Sequence, residues 1–128
     1  MTKARSNLQI DSARLWGDIH ETAKFGATPK GGVKRLTLGP EDKQVRDWFR
    51  PACEAAGCEV SVDALGTMFA IRPGRDMSKP PIGIGSHLDT QPTGGKYDGI
   101  LGTLAALEVV RAMNDAGIET EYPVCVCN

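Results

Sequence analysis

The run Gly85-Ser86-His87-Leu88-Asp89-Thr90-Gln91-Pro92-Thr93-Gly94-Gly95-Lys96-Tyr97-Asp98-Gly99 constrains this chain more than any other stretch of it. Before it lies Ile82-Gly83-Ile84-Gly85-Ser86, short and uncharged; behind it, Ile100 to about Ala116 is broadly apolar and stops at Gly117. A strand pattern follows from Tyr122 to Cys127. Strand, loop, helix and strand in that order predict a βαβ unit over 82–127 with its two strands parallel. Ligands of such sheets bind beyond the carboxyl ends of the strands, and His87 and Asp89 stand at such an end. The uncharged run at 82–86 reads as a central strand buried on both faces.

Upstream, Asp11-Ser12 is a helix start, with Leu15, Ile19 and Ala23 on one face of a helix reaching about Lys24. Gly26 to Gly39 reads as a long loop around the breaker cluster Thr28-Pro29-Lys30-Gly31-Gly32. Pro40 suits the first turn of a second helix, Glu41 and Asp42 suit its N-terminus, and Gly57 ends it. Val45, Trp48, Phe49 and Cys53 supply its apolar face. Cys58, Val60 and Val62 alternate as in a strand, and Thr67 to Arg72 reads as a second strand paired to it across the turn at Ala64-Leu65-Gly66. Trp16, Trp48 and Phe49 are expected in the core, and His20 on the surface.

The length, 128 residues, allows one domain with a modest core. A net charge of -1 gives no electrostatic footprint for nucleic acid or an anionic membrane. No apolar run approaches the roughly 18 residues of a spanning helix, and Met1 to Asn7 precedes no apolar secretory core. A cytoplasmic protein is the expectation. Its cysteines, Cys53, Cys58, Cys125 and Cys127, would then be reduced. Cys125 and Cys127 fall on the same side of a strand; a metal pair is the sharper reading, small core hydrophobes the better one.

An imidazole and two carboxylates in so short a run suit zinc, manganese or a related divalent ion. His87 and Asp89 point the same way, so Asp89 either ligates the metal or holds the second ring nitrogen of His87. Asp98 opens the next helix and can reach back over the strand end, where a carboxylate can bridge two metals about 3.5–4 Å apart. Two rival readings fail. Gly83-x-Gly85 lacks the third glycine of a dinucleotide fingerprint, since Leu88 stands there. Gly95-Lys96 is followed by Tyr97 rather than the Ser or Thr of a phosphate loop.

The run from His87 to Gly99, with Leu101-Gly102 and Leu104 to Val109 behind it, resembles the zinc-dependent amidase/carbamoylase family. That family includes N-carbamoyl-L-amino-acid hydrolases, β-ureidopropionases and allantoate amidohydrolases. Arg14-Leu15-Trp16, Gly26-Ala27-Thr28-Pro29, Gly31-Gly32-Val33-x-Arg35-Leu36 and Val62 to Gly66 extend the likeness over nearly the whole chain. Gln91 to Gly95 marks the carbamoylase-type branch rather than the peptidase branch, while Lys34 departs from the expected Thr.

The resemblance implies an α/β fold: the N-terminal part of a zinc-exopeptidase-like catalytic domain with a mostly parallel sheet. It implies that His87 and Asp98 are metal ligands, Asp98 bridging, and that Asp89 orients His87. The cofactor would be two zinc ions, with manganese, cobalt or nickel as other candidates. The substrate would be a small N-carbamoyl or ureido compound, and the complete enzyme a homodimer bound to neither nucleic acid nor membrane. The family's next motif starts with Asn, which Asn128 matches, and continues to a Glu-Glu pair holding the general base and another ligand. That pair, two further His ligands and the dimerisation and lid domain are not in this sequence. Residues 1–128 are therefore expected to be an N-terminal portion of one metallohydrolase domain, inactive alone and poorly soluble, with an open sheet edge and an apolar face. The alternative is a non-catalytic binding or interaction module on the same scaffold.

Overall fold

The computed structural model describes residues 8–128. Three helices and four strands follow in the order α1 (Ser12–Thr22), α2 (Pro40–Ala55), β1 (Glu59–Val62), β2 (Met68–Arg72), β3 (Ile82–Gly85), α3 (Ile100–Asp115) and β4 (Val124–Cys127). Asp11 caps α1 through its side chain, which accepts the Arg14 N–H, and Pro40 opens α2. The apolar face of α2 buries Val45, Phe49 and Cys53 completely. That burial carries the helix through Pro51, a residue that removes one backbone donor from the ladder.

The strands form one sheet in the order β1-β2-β4-β3. β1 with β2 and β2 with β4 are antiparallel, and only β3 with β4 is parallel. The expected βαβ unit is present in β3, α3 and β4, but the sheet as a whole is mixed rather than mostly parallel. The reason is the hairpin: its second strand, β2, takes the far side of β4, so chain direction alternates there.

β3 corrects a second expectation. Among the described residues it pairs only with β4, and so forms an edge. Ile82 is 55% exposed, and Gly83 and Gly85 are exposed as well. Two of its four residues are glycines, so the lack of charge reflects missing side chains, which a reading of polarity alone mistakes for burial on both faces. The edges are β1 and β3, whereas β4 lies inside the sheet.

Met68, Ala70, Val124 and Val126 join residues of all three helices in one buried cluster. Phe69 and Ile71, opposite Cys127 and Cys125 in register, lie on the other sheet face and outside that cluster. Phe49 is a core residue and Trp48 packs against the core. Trp16, expected in the core, is 55% exposed. It stands edge-on to the exposed His20 ring and stacks on Tyr97, its ring centre 6.2 Å away. All four cysteines are free thiols, three of them buried. The sulfurs of Cys125 and Cys127 lie 3.6 Å apart. Burial pushes the Cys53 and Cys125 thiols up to about 12.

α1 is tied to α3 by charge as well as by packing. Arg14 donates from Nε to Glu108 Oε2 and from a terminal nitrogen to Oε1, both at 2.8 Å, and reaches Asp115 at 2.9 Å. The Asp11 N–H also donates to Glu108. Glu108 is fully buried among the mostly apolar residues that α3 turns inward. These bonds hold the Arg14 guanidinium above its ordinary pKa range, led by the one to Glu108 and opposed by desolvation.

Candidate functional site

His87 and Asp89 leave the end of β3 on either side of Leu88, whose side chain is fully buried. Burying a leucine stabilises by roughly 1.5–3 kcal/mol, and it fixes the alternation: Leu88 inward, its two neighbours outward. The Leu88 peptide is held at both ends. Its N–H donates to Asn128 Oδ1 at 2.8 Å, and its carbonyl accepts from Arg35 Nε at 2.8 Å.

The His87 ring has a defined orientation. Nδ1 lies 2.9 Å from the Asp89 backbone carbonyl and 3.3 Å from Asp89 Oδ1. Both neighbours are acceptors, so in the neutral ring Nδ1 carries the proton and Nε2 the lone pair. Among the described residues Nε2 takes no hydrogen bond. A histidine ligand is prepared for metal by this arrangement, one nitrogen held by a carboxylate or carbonyl and the other free.

Asp98 opens a tight turn ahead of α3. Its backbone carbonyl accepts the Ile100 N–H at 2.8 Å, with Gly99 between them at φ 71, ψ -58. That is a γ-turn of the rare, positive-φ kind. It starts α3 and leaves the space beside Gly99 to the imidazole: a Cβ there would lie 2.2 Å from His87 Cε1 and 2.6 Å from Nε2. The ring thus rests on the residue that follows Asp98. Asp98 is exposed, and its carboxylate makes no hydrogen bond among the described residues.

The loop before α2, expected from its breaker cluster at 28–32, packs behind this site. Val33 and Gly94 exchange backbone hydrogen bonds at 2.9 and 3.1 Å, and the Thr90 N–H donates to the Arg35 carbonyl at 2.7 Å. The buried Thr90 hydroxyl accepts the Arg35 N–H at 2.8 Å and donates to the Val33 carbonyl at 3.1 Å. Arg35, 1% exposed, also donates to the Thr22 and Phe25 carbonyls. The sequence signal for this was an arginine amid glycines and valine, which pattern alone reads as a solvated loop charge. On the other side, Leu38, Leu65, Thr67 and Asn128 line a cleft with His87 and Asp89. Leu38 sits at φ 61 with its side chain 79% exposed, and its N–H is held by the buried Asp42 carboxylate at 2.9 Å.

His87 and Asp89 thus meet at one end of the sheet, and the His87 ring lies against Gly99, the residue that follows Asp98. No three His, Cys, Asp or Glu side chains among the described residues stand close enough together to form a metal cage. The donors fit a divalent ion in kind, a free imidazole nitrogen and a free carboxylate, but supply only part of a coordination sphere.

No protein-family model matches the chain. Similar proteins are nevertheless clear. An N-carbamoyl-L-amino-acid amidohydrolase of Rhizobium meliloti is 49% identical over 128 residues, covering all of this chain and 31% of the relative. A solved hydantoinase/carbamoylase family amidase from Burkholderia ambifaria superposes with a TM-score of 0.93 at 54% identity, over 94% of this chain and 30% of that one. The chain belongs to the hydantoinase/carbamoylase amidase family. A ureidoglycolate hydrolase of Arabidopsis thaliana is 32% identical over 114 residues, covering 89% of this chain and 24% of the relative. The chain spans roughly a third or less of the length of these amidase relatives. None of the described helices is long and apolar enough to cross a membrane.

Proposed function

We propose that this chain carries part of the metal centre of a hydrolase that cleaves linear, non-peptide amide bonds of N-carbamoyl or ureido compounds. The observation that carries the reading is the His87 ring, Nδ1 held by Asp89 and Nε2 free, seated on the turn that presents Asp98. Family membership supports the reaction class, since relatives named for N-carbamoyl amino acids and for ureidoglycolate share the surrounding sequence. His87 Nε2 and Asp98 would hold the metal, zinc or another divalent ion, and Asp89 would keep the His87 proton on Nδ1.

A divalent ion held there would supply Lewis acidity and an activated water for hydrolysis. The chain's own part is positional. Leu88 anchors the strand end, the Gly99 turn fixes the carboxylate, and the ladder between residues 33 and 94 closes the loop behind them. Two donors do not complete the centre, so the remaining ligands and the proton-transferring group come from elsewhere in the polypeptide. Residues 1–128 alone therefore do not turn over substrate. We place the fold in the zinc-exopeptidase-like class on the same grounds.

The test is ammonia release by the whole protein from a panel of N-carbamoyl amino acids and ureido acids, with His87→Ala and Asp98→Ala beside it. The account expects turnover on at least one substrate and a loss of a thousandfold or more in each variant, in keeping with removal of a metal ligand. Turnover that survives both substitutions would refute the assignment of the metal to His87 and Asp98, and a folded protein inert on the whole panel would leave the interaction-module reading instead.

A further inference from the structure

Arg35 does more than its position in a loop suggests. It is a buried cation with no carboxylate within ion-pair distance among the described residues. Such a charge is costly to bury unless hydrogen bonds satisfy it. Burial pushes its pKa down, opposed by Asp42 first and then Asp89. Its partners are three carbonyls from two places: Thr22 and Phe25 at the C-terminal end of α1, and Leu88 at the end of β3. The first two make it a helix C-cap, favourable at the negative end of the helix dipole. A cap alone has no use for the third bond, which goes to the carbonyl between His87 and Asp89.

We infer that Arg35 is a positioning residue for the metal-binding pair: by holding the Leu88 carbonyl it fixes the angle at which His87 and Asp89 leave the strand. The inference rests on the metal-site reading above. The planar guanidinium presents Nε to Leu88 and another nitrogen to α1 along fixed directions. A lysine ammonium is a single point charge and cannot span both. With Asn128 on the N–H and the Leu88 side chain buried, Arg35 completes a three-point hold on this one residue.

The experiment uses the whole protein with Arg35→Lys, Arg35→Met and, as control, His87→Ala, and zinc ion alone as probe. Two quantities are read: the ring ¹⁵N signature of His87 in metal-free protein, and zinc affinity. The wild type should show one tautomer, protonated at Nδ1. Both Arg35 variants should show a mixture and bind zinc about tenfold or more weakly, the scale seen for groups that orient metal ligands. A purely capping role would lower thermal stability and leave both readouts unchanged, and that result overturns the inference. If neither variant folds, hydrogen exchange at Arg35 Nε in the wild type decides. Zinc should slow it tenfold or more by immobilising the strand end, and equal exchange with and without zinc counts against the role. Zinc binding that is unaffected in His87→Ala defeats the metal-site reading instead, while the His87 signature of the Arg35 variants still reports on positioning.

Discussion

Replacing Gly99 with alanine is expected to disable the site more thoroughly than its size suggests. Two penalties act together. The backbone at φ 71, ψ -58 is one that a residue with a Cβ adopts at a cost of about 1–3 kcal/mol. The new methyl would also fall 2.2–2.6 Å from atoms of the His87 ring, and overpacking of that kind costs about 1–3 kcal/mol. The protein can relieve both only by moving the imidazole or opening the turn that presents Asp98. Urea unfolding of the whole protein should therefore show a loss of about 2–6 kcal/mol, and zinc affinity should fall by a hundredfold or more. Gly95 is the control, since its φ is not positive and a Cβ there meets nothing within 4 Å. Gly95→Ala should stay within about 0.5 kcal/mol of wild type. Equal behaviour of the two variants would mean that the His87 ring does not occupy the space beside Gly99.

The second large effect lies away from the site. Arg14→Ala leaves Glu108, whose side chain is 1% exposed, with only the Asp11 N–H as partner. Breaking a buried pair by removing one member costs about 3–5 kcal/mol, because the remaining charge is stranded. Glu108→Leu should cost less, since Arg14 keeps Asp115 and is itself 30% exposed. The double variant Arg14→Met, Glu108→Leu should recover most of the loss, because two apolar side chains replace the pair without leaving a buried charge. Denaturant midpoints of the three variants decide the matter. A double variant as unstable as Arg14→Ala would show that the bidentate geometry, rather than charge satisfaction, holds α1 on α3.

Much of this fold can be read before any coordinates. Asp11 and Pro40 start helices as their chemistry requires, and the spacing of Val45, Phe49 and Cys53 survives even Pro51 inside the helix. The β3–α3–β4 unit follows from pattern alone. Sheet order does not, because it depends on which neighbour β2 chooses, and that choice is made by packing between distant segments. The exposure of β3 is hidden for a related reason: Gly83 and Gly85 carry no charge whether buried or exposed. Trp16 belongs to α1, yet its ring meets Tyr97 from a loop far along the chain, a partner no local periodicity reveals.

The site divides along the same line. His87, Asp89 and Asp98 announce themselves by residue type and by standing between a strand and a helix. The position of His87 and Asp89 at the end of β3 follows the carboxyl-end rule for βαβ units. What sequence could not show is how they are held. The γ-turn at Gly99, the Asn128 side chain on the Leu88 N–H and the buried Arg35 on its carbonyl are long-range or conformational facts. The buried Glu108 is of the same kind: a charge on an apolar helix is legible only once Arg14 is seen opposite it.

The most direct test of the central claim is a crystal structure of the whole protein grown with zinc, with anomalous scattering recorded at the zinc edge. The account predicts a peak about 2.0–2.1 Å from His87 Nε2 and about 2.0–2.2 Å from an Asp98 carboxylate oxygen, with Nδ1 still facing Asp89. No peak near His87, or a zinc bound through Nδ1 with Asp89 turned away, would contradict it.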